Sequence, residues 1–466
     1  MRAALTLIAA LVVWRLAMLS AARIELSTDE AQYWLWGQSL AFGAYSKPPL
    51  IGWLIRSVTE WAGDSAFAVR ALAPLLHGAT AVVVLVLARR LAGPGVAALA
   101  AISYATMPAV TLGSVLMTTD TPMMLALAVA LLMQHRLAAR ASVGGAVALG
   151  LAVGLGLMAK HAMAYGLAGM ALAALLRPDW RIARRDLAIA AAVALAVVAP
   201  NLWWIASHDF VTVHHMAEDG RAHGLRLNLP GAARFLAEQL AVMGPILFPA
   251  FLIGAVRLRG GLRGLALVGL VVLGIVTAQA LVSRALANWA VGFTVPGVIV
   301  AAAWLAGRRW LAWASVAVGL ALAVALPLLT VIGTEWRLGD RLALGRYLGH
   351  HALADRALDG AQAAGAVAIV AHDRGLLADL SLFGKPRGLA VHAAPFAGPP
   401  RHHWDLALPL PANLPGPVAA LTLPGDPLPD CARLLDQWTA GPGFLEGETL
   451  SLSLADATCL GMTAHD

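Results

Sequence analysis

Two adjacent carboxylates, Asp29 and Glu30, open the stretch "STDEAQYWLWGQSLAFGAYSKPPLIGWL" (residues 27–54), which follows the first apolar run of the chain. A carboxylate placed there could take the proton from an attacking hydroxyl, while a nearby cation steadies a departing phosphate. The same acids also suit an ordinary helix start, with Ser27 or Thr28 as cap and negative charge at the positive helix end. Later in the stretch stands Lys47, followed by Pro48 and Pro49, which stiffen the backbone that carries its ammonium. A fixed ammonium can clamp an anion; a snorkelling lysine at a membrane surface would look the same.

Asp120, in "TTDTPM", precedes Pro122 at a position suited to the first turn of a helix, so capping and chemistry are both open to it. Lys160-His161, in "LMAKHAM", sits between two apolar runs joined by almost no loop, where a charged side chain rarely lacks a task. The segment "SHDFVTVHHMAEDGRAHG" gathers His208, His214, His215 and His223 with Asp209, Glu218 and Asp219. These types can hold a divalent ion, with His214 and His215 as first candidates, although their spacing matches no established zinc motif. Arg221 in that segment is a candidate phosphate contact in a loop that closes over substrate.

The elements that must position these groups are read from composition. Of 466 residues, 60% are hydrophobic and only 13% charged, with a mean hydropathy of +0.75, against roughly 25% charged residues in soluble domains. Several apolar runs approach the roughly 20 residues that span a bilayer. Residues 1–22 resemble a secretory signal, but Trp14 and Arg15 interrupt the run and many spans follow, so an uncleaved first helix is expected. Spans are expected near 3–22, 66–88, 95–114, 121–134, 142–159, 162–176, 187–206, 233–256, 264–282, 289–306 and 310–333. Every even-numbered span ends in arginines, which marks those ends as cytoplasmic. The net charge of +7 is therefore a topology signal and argues against nucleic acid as a partner.

The expected architecture is a polytopic α-helical membrane domain over 1–333, with about eleven transmembrane helices and two short interfacial helices in the first outer loop. A small α/β domain follows over 334–466, on the outer side with the C-terminus, while the N-terminus is cytoplasmic. In that last part "GAVAIVAHDRGLLADLSLFG" reads as strand, turn and helix, and "PVAALTLP" and "ETLSLSLADATC" as further strands. Cys431 and Cys459 lie there, and an oxidising compartment would permit a disulfide. The sequence contains no Walker-type glycine loop, which argues against a nucleotide cofactor.

In order along the chain, "DEAQYW", "SKPPLIGWL", "TTDTP", "AKHAM", "PNLWWIASHDFVTVHH" and "ANWAVGFTVPG" resemble the GT-C glycosyltransferases. The resemblance lies in glycosyltransferase family 39, the branch of protein O-mannosyltransferases and bacterial aminoarabinose transferases, and covers approximately residues 1–310. It implies a transferase taking a sugar from a polyprenyl-phosphate donor to a lipid A, glycan or protein acceptor at the outer face of a bacterial inner membrane. Asp29 would then be catalytic with Glu30 beside it, Asp120 would be the second acid, and Lys47, Lys160 and Arg221 would serve the donor phosphate. Ser46 stands where aminoarabinose transferases carry an acid associated with a metal site, which bears on His214 and His215 as ligands and leaves a divalent ion an open expectation. From the residues alone, a lipid or small-molecule transporter is the competing class, but no paired repeat with broken helices is evident. A catalytically inert anchoring protein would leave the acids as caps.

Overall fold

The computed structural model describes residues 1–221 and 227–461, except for the side chains of 219–221. Packing divides the chain into two units. The first comprises 1–20, 47–54 and 70–328; the second comprises 21–46, 55–69 and 329–466.

The first unit is helical because its Ala, Leu, Val and Gly runs offer no polar side chain to compete for backbone hydrogen bonds, which in hydrocarbon must be met internally. Among the described residues of the chain, seven helices are long and apolar enough to cross a membrane: Arg2–Ala21, Ala66–Thr106, Asp120–Ala139, Arg184–Ser207, Leu262–Val282, Ala287–Leu305 and Arg309–Ile332. The pair Leu229–Met243 and Leu247–Arg257, bent by 107° where Gly244 and Pro245 interrupt it, makes an eighth when counted as one span. The 41-residue helix would be about 60 Å long, twice the hydrocarbon thickness. It is in fact broken at Gly93, whose φ of 82° leaves the helical region just before Pro94. Counting it as two, and adding the short helices Val143–Ala159 and Met163–Leu176, recovers the eleven apolar segments expected from sequence.

Two details hold these helices. Gly150 and Gly154 let Val143–Ala159 lie directly on Arg184–Ser207; a Cβ at Gly150 would meet the Ala190 carbonyl at 2.5 Å. Arg15, buried inside the first helix, caps a break elsewhere. The long helix stops at Met107 before Pro108, which orphans its last carbonyls, and Arg15 Nη2 donates to Ala105 O at 2.5 Å and to Thr111 Oγ1 at 3.4 Å.

The second unit is an α/β arrangement. Strands β1 (Ala368–Ala371), β2 (Ala390–Ala393), β3 (Pro417–Thr422), β4 (Arg433–Thr439) and β5 (Thr449–Asp456) form one sheet in the order β2-β1-β3-β5-β4. The first three are mutually parallel, β5 is antiparallel to β3, and β4 is antiparallel to β5. Helices His350–Ala363 and Arg374–Gly384 cover it. A disulfide joins Cys431 to Cys459 with Cα atoms 6.2 Å apart.

The segment 21–46 packs inside this unit. Its helix Thr28–Ser39 lies on Arg374–Gly384, and Tyr33, Trp34 and Trp36 are buried there. This is the first of the two helices expected to lie in the membrane interface; its aromatics are core residues instead, because a neighbouring apolar helix face offers fuller burial than a headgroup layer. The second expected helix forms at Leu50–Ala62, where Trp61 is 90% exposed.

Candidate active site

The acid pair is divided by local structure. Ser27 caps the helix Thr28–Ser39, and its backbone N–H and hydroxyl donate to Glu30 Oε2 at 3.1 and 3.0 Å, completing a capping box. Glu30 is thereby 2% exposed and turned back onto the helix start, so its carboxylate serves the cap that the sequence reading held open. Asp29, one position earlier and 40% exposed at its side chain, faces outward. Arg374 Nη1 donates to Asp29 Oδ1 at 3.0 Å and to Gln32 Oε1 at 3.2 Å, and Arg346 Nη2 stands 3.7 Å from Asp29 Oδ2.

These arginines are presented by turns of the second unit. Asp373 accepts from the amides of Gly375 and Leu376 and so starts the helix that begins with Arg374. Arg346 lies just before the helix His350–Ala363, whose first amides are capped by Glu25: His350 N–H and His351 N–H donate to it at 2.6 and 3.3 Å. Behind this point His350 is buried, with Nδ1 2.8 Å from Asp379 Oδ2 and Nε2 3.0 Å from the Arg346 carbonyl. Lys385, the third lysine, pairs with Asp64 at 2.8 Å and donates to Gln38 at 3.0 Å, close to the Trp34 ring; it ties the unit together.

In the first unit Asp120 does not cap. Thr119 provides no side-chain cap either, and Asp120 Oδ1 accepts from Lys160 Nζ at 2.7 Å, each side chain 14% exposed. The structure thus joins two candidates that lie 40 positions apart. Next to Lys160, burial holds the His161 imidazole below its ordinary value; Asn201 hydrogen-bonds it, and the nearby Lys47 ammonium lowers it further. Lys47 is half-buried beside that histidine. A buried chain continues from the residue after Asp120: Thr121 Oγ1 lies 3.3 Å from His77 Nε2, and His77 Nδ1 lies 3.1 Å from the Tyr104 hydroxyl. Lys160, paired with Asp120, and Lys47 thus both stand close to His161 in this unit.

His214 is exposed on the helix Val211–Arg221, and His208 stacks on Trp204 at 4.1 Å. Among the described residues, no group of three or more His, Cys, Asp or Glu is placed to hold a metal. The Arg221 side chain lies outside the described residues, as does His223.

A family profile described as dolichyl-phosphate-mannose-protein mannosyltransferase matches residues 46–204, a segment holding Lys47, Asp120 and Lys160. Over nearly its whole length the chain is 37% identical to the lipid A galacturonosyltransferase RgtD of Rhizobium johnstonii, covering 98% of this chain and 99% of that one. The chain belongs to the GT-C glycosyltransferases. Like its relatives it is an integral membrane glycosyltransferase. Two solved structures of ArnT from Cupriavidus metallidurans share the GT-C fold. The apo form superposes with a TM-score of 0.62 at 15% identity, covering 97% of each chain. The form bound to undecaprenyl phosphate gives 0.64 at 16%, covering 97% of this chain and 98% of that one.

Arg374, Arg346 and Gln32 were not singled out from sequence. The two arginines are 345 and 317 positions beyond Asp29, and nothing local in "HDRG" or "LGRY" distinguishes an arginine that meets a carboxylate from one on a solvated surface.

Proposed function

We propose that this GT-C enzyme moves a sugar from a polyprenyl-phosphate donor to a hydroxyl of a lipid A-type acceptor. The outer face of the bacterial inner membrane is the proposed place of reaction. The relative that carries this reading matches the chain from end to end and is named for lipid A. The donor class is supported by the undecaprenyl phosphate bound in a structure of the same fold. Sidedness is supported by the arginine-marked loops and by the disulfide Cys431–Cys459, which persists in an oxidising compartment.

Asp29 is the proposed base. The acceptor hydroxyl oxygen attacks the anomeric carbon, its proton passes to the Asp29 carboxylate, and the bond from that carbon to the phosphate oxygen breaks, with inversion. Polyprenyl phosphate leaves with the bonding pair. Lys47 and Lys160 are the proposed phosphate ligands. Asp120 holds the Lys160 ammonium in place between turnovers. Glu30 is left to the helix cap.

Purified protein given a polyprenyl-phosphate sugar and lipid A should release polyprenyl phosphate, and the assay is run with and without chelator. Asp29→Asn should reduce release by at least roughly 100-fold while the protein stays folded, the scale on which general-base catalysis operates. Full activity in that variant would remove Asp29 from the mechanism. Cysteines introduced beside Asp29 and Asp120 should be labelled from the outside of intact cells; labelling only from the cytoplasm would overturn the sidedness.

A further inference from the structure

A cavity of about 280 Å³ opens in the second unit between the helix His350–Ala363 and the edge strand β4. Gly349, Ala352 and Arg356 recur at helical spacing along its helix side, and the two small residues leave space that bulkier ones would fill. Opposite them stand Trp438 from β4, and Pro442 and Phe444 from the turn that follows. This turn is held in shape. The Phe444 amide donates to the Leu348 carbonyl at 2.7 Å, and Gly443, with a φ of 126°, passes so close that a side chain there would strike the same carbonyl. The size matches the smaller ligand pockets, which run upward from roughly 300 Å³.

The polar groups of the cavity come as a neutral pair. Arg356 Nε and Nη2 donate to the two Asp436 oxygens at 2.9 and 3.1 Å, and the guanidinium lies over the Trp438 ring at 4.6 Å. Asp436 and Trp438, two positions apart, share one face of β4. The other acids of the helix, Asp355 and Asp359, are taken by Arg387. An ion pair exposed at 49% and 40% adds at most about 1 kcal/mol to stability, so it is a weak clamp between helix and strand. Its unspent capacity is larger. Arg356 Nη1 has no partner among the described residues, and each Asp436 oxygen can accept again. A balanced pair does not trap an ion; it suits a ligand rich in hydroxyls, each of which donates and accepts. The indole beside it suits a ligand with an apolar C–H face. A pyranose ring has both.

Phe444 relates this cavity to the proposed base. Its ring stacks on His350 at 4.4 Å, and a Cβ added at Gly375 would touch both the Phe444 ring and the Thr28 hydroxyl. Gly375 and Thr28 are the chain neighbours of Arg374 and Asp29, which pair at 3.0 Å. The Phe444 ring thus reaches from the cavity wall to the turn that carries Asp29, all within the second unit. We propose that the cavity binds a pyranose ring of the acceptor, next to the ring whose hydroxyl Asp29 activates. Trp438 is its platform, and Arg356 and Asp436 meet its hydroxyls. This rests on the reading of Asp29 as base, and it gives the acceptor a second point of attachment. No bond is made or broken in the cavity; it sets which acceptor hydroxyl reaches Asp29.

The test uses the full chain in detergent, with the deacylated saccharide of lipid A as the probe in calorimetry and lipid A as acceptor in the release assay. Trp438→Ala and Arg356→Gln should each weaken saccharide binding and raise the acceptor KM by roughly 10-fold, the scale of one stacked ring or one hydrogen bond. The donor KM should change little. Trp438→Phe should recover part of the loss. Ala352→Leu, at an exposed helix position, fills the cavity without removing a polar contact and should act in the same direction. It decides alone if the other variants fail to fold, as judged by size exclusion. An unchanged acceptor KM in Ala352→Leu would overturn the proposal. A raised donor KM in place of the acceptor KM would overturn it too, by assigning the ring to the donor. No heat from the wild type at saccharide concentrations well above the acceptor KM would also overturn it. The base is judged separately: a fully active Asp29→Asn, with saccharide binding still lost in Trp438→Ala, removes the base and keeps the cavity as a saccharide site.

Discussion

At the scale of single residues, Asp29 and Glu30 show how neighbours of one type part company. The capping box draws Glu30 inward, and the preceding position leaves Asp29 to solvent and arginine. Sequence alone presented both as cap or base, since either acid could fill either role; the N3 position of Glu30 relative to Ser27 is the local signal that separates them. Asp120 and Lys160 are a coupled pair by contrast. With each side chain 14% exposed, Lys160→Met should cost on the order of 2 kcal/mol by leaving a carboxylate poorly hydrated. Adding Asp120→Asn should recover much of that loss. Thermal unfolding in detergent of both singles and the double measures the coupling, and purely additive losses would show that the pair does not act as a unit. Both residues were legible as candidates from their place beside apolar runs, but their partnership was not, because it depends on which helix ends meet. The arginines on Asp29 were illegible for the same reason.

At the scale of elements, the apolar runs and their arginine punctuation foretold the helical segments to within a few residues, including the interruption at Gly93-Pro94. What they could not foretell was the repair of broken helices. Arg15 looked like a blemish in the first span, yet it answers a carbonyl freed by Pro108. Arg15→Met keeps the volume and removes the donors, so the protein should lose roughly 1–3 kcal/mol. Its melting temperature in detergent should fall accordingly; an unchanged value would mean that water or lipid satisfies those carbonyls. In the second unit, three strands were readable from β-rich runs. Strands β2 and β4 were missed: "AVHA" is only four residues long, and "RLLDQWT" on the sheet edge shows no clean alternation of apolar and polar positions. The burial of Tyr33, Trp34 and Trp36 was missed because a run of aromatics fits a membrane surface and a protein core equally well.

At the scale of the whole molecule, two features set the conditions under which the second unit holds together. Burial alone would lower the His350 imidazole. Its hydrogen bond to Asp379, the charge of Asp379, the Arg346 carbonyl and the charge of Glu25 outweigh that and hold it above its ordinary value. Burial likewise pushes the Asp379 carboxyl up to about 6, against the pull of His350. Both groups bind protons more tightly folded than unfolded. The His350 contribution is therefore complete below about pH 6.5 and is lost as pH rises through the raised value; that of Asp379 fades earlier, as pH rises toward about 6. Melting temperature should decline as pH rises above about 6, and less steeply in His350→Gln; parallel slopes would exclude this pair as the cause. The disulfide closes a separation of 28 residues, so removing it with Cys431→Ser and Cys459→Ser should cost about 3 kcal/mol by loop entropy. Denaturant unfolding of this unit measures it, and an unchanged midpoint would show that the bridge adds nothing. Finally, Glu25 finds its amide partners 325 and 326 positions later, and Asp29 finds Arg374 345 positions later. Ribosomes make the acids long before their partners. The loop bearing the base must therefore wait, without its anchors, until residue 374 has been added, so a nascent chain interrupted before that point carries the acid but never the clasp that orients it.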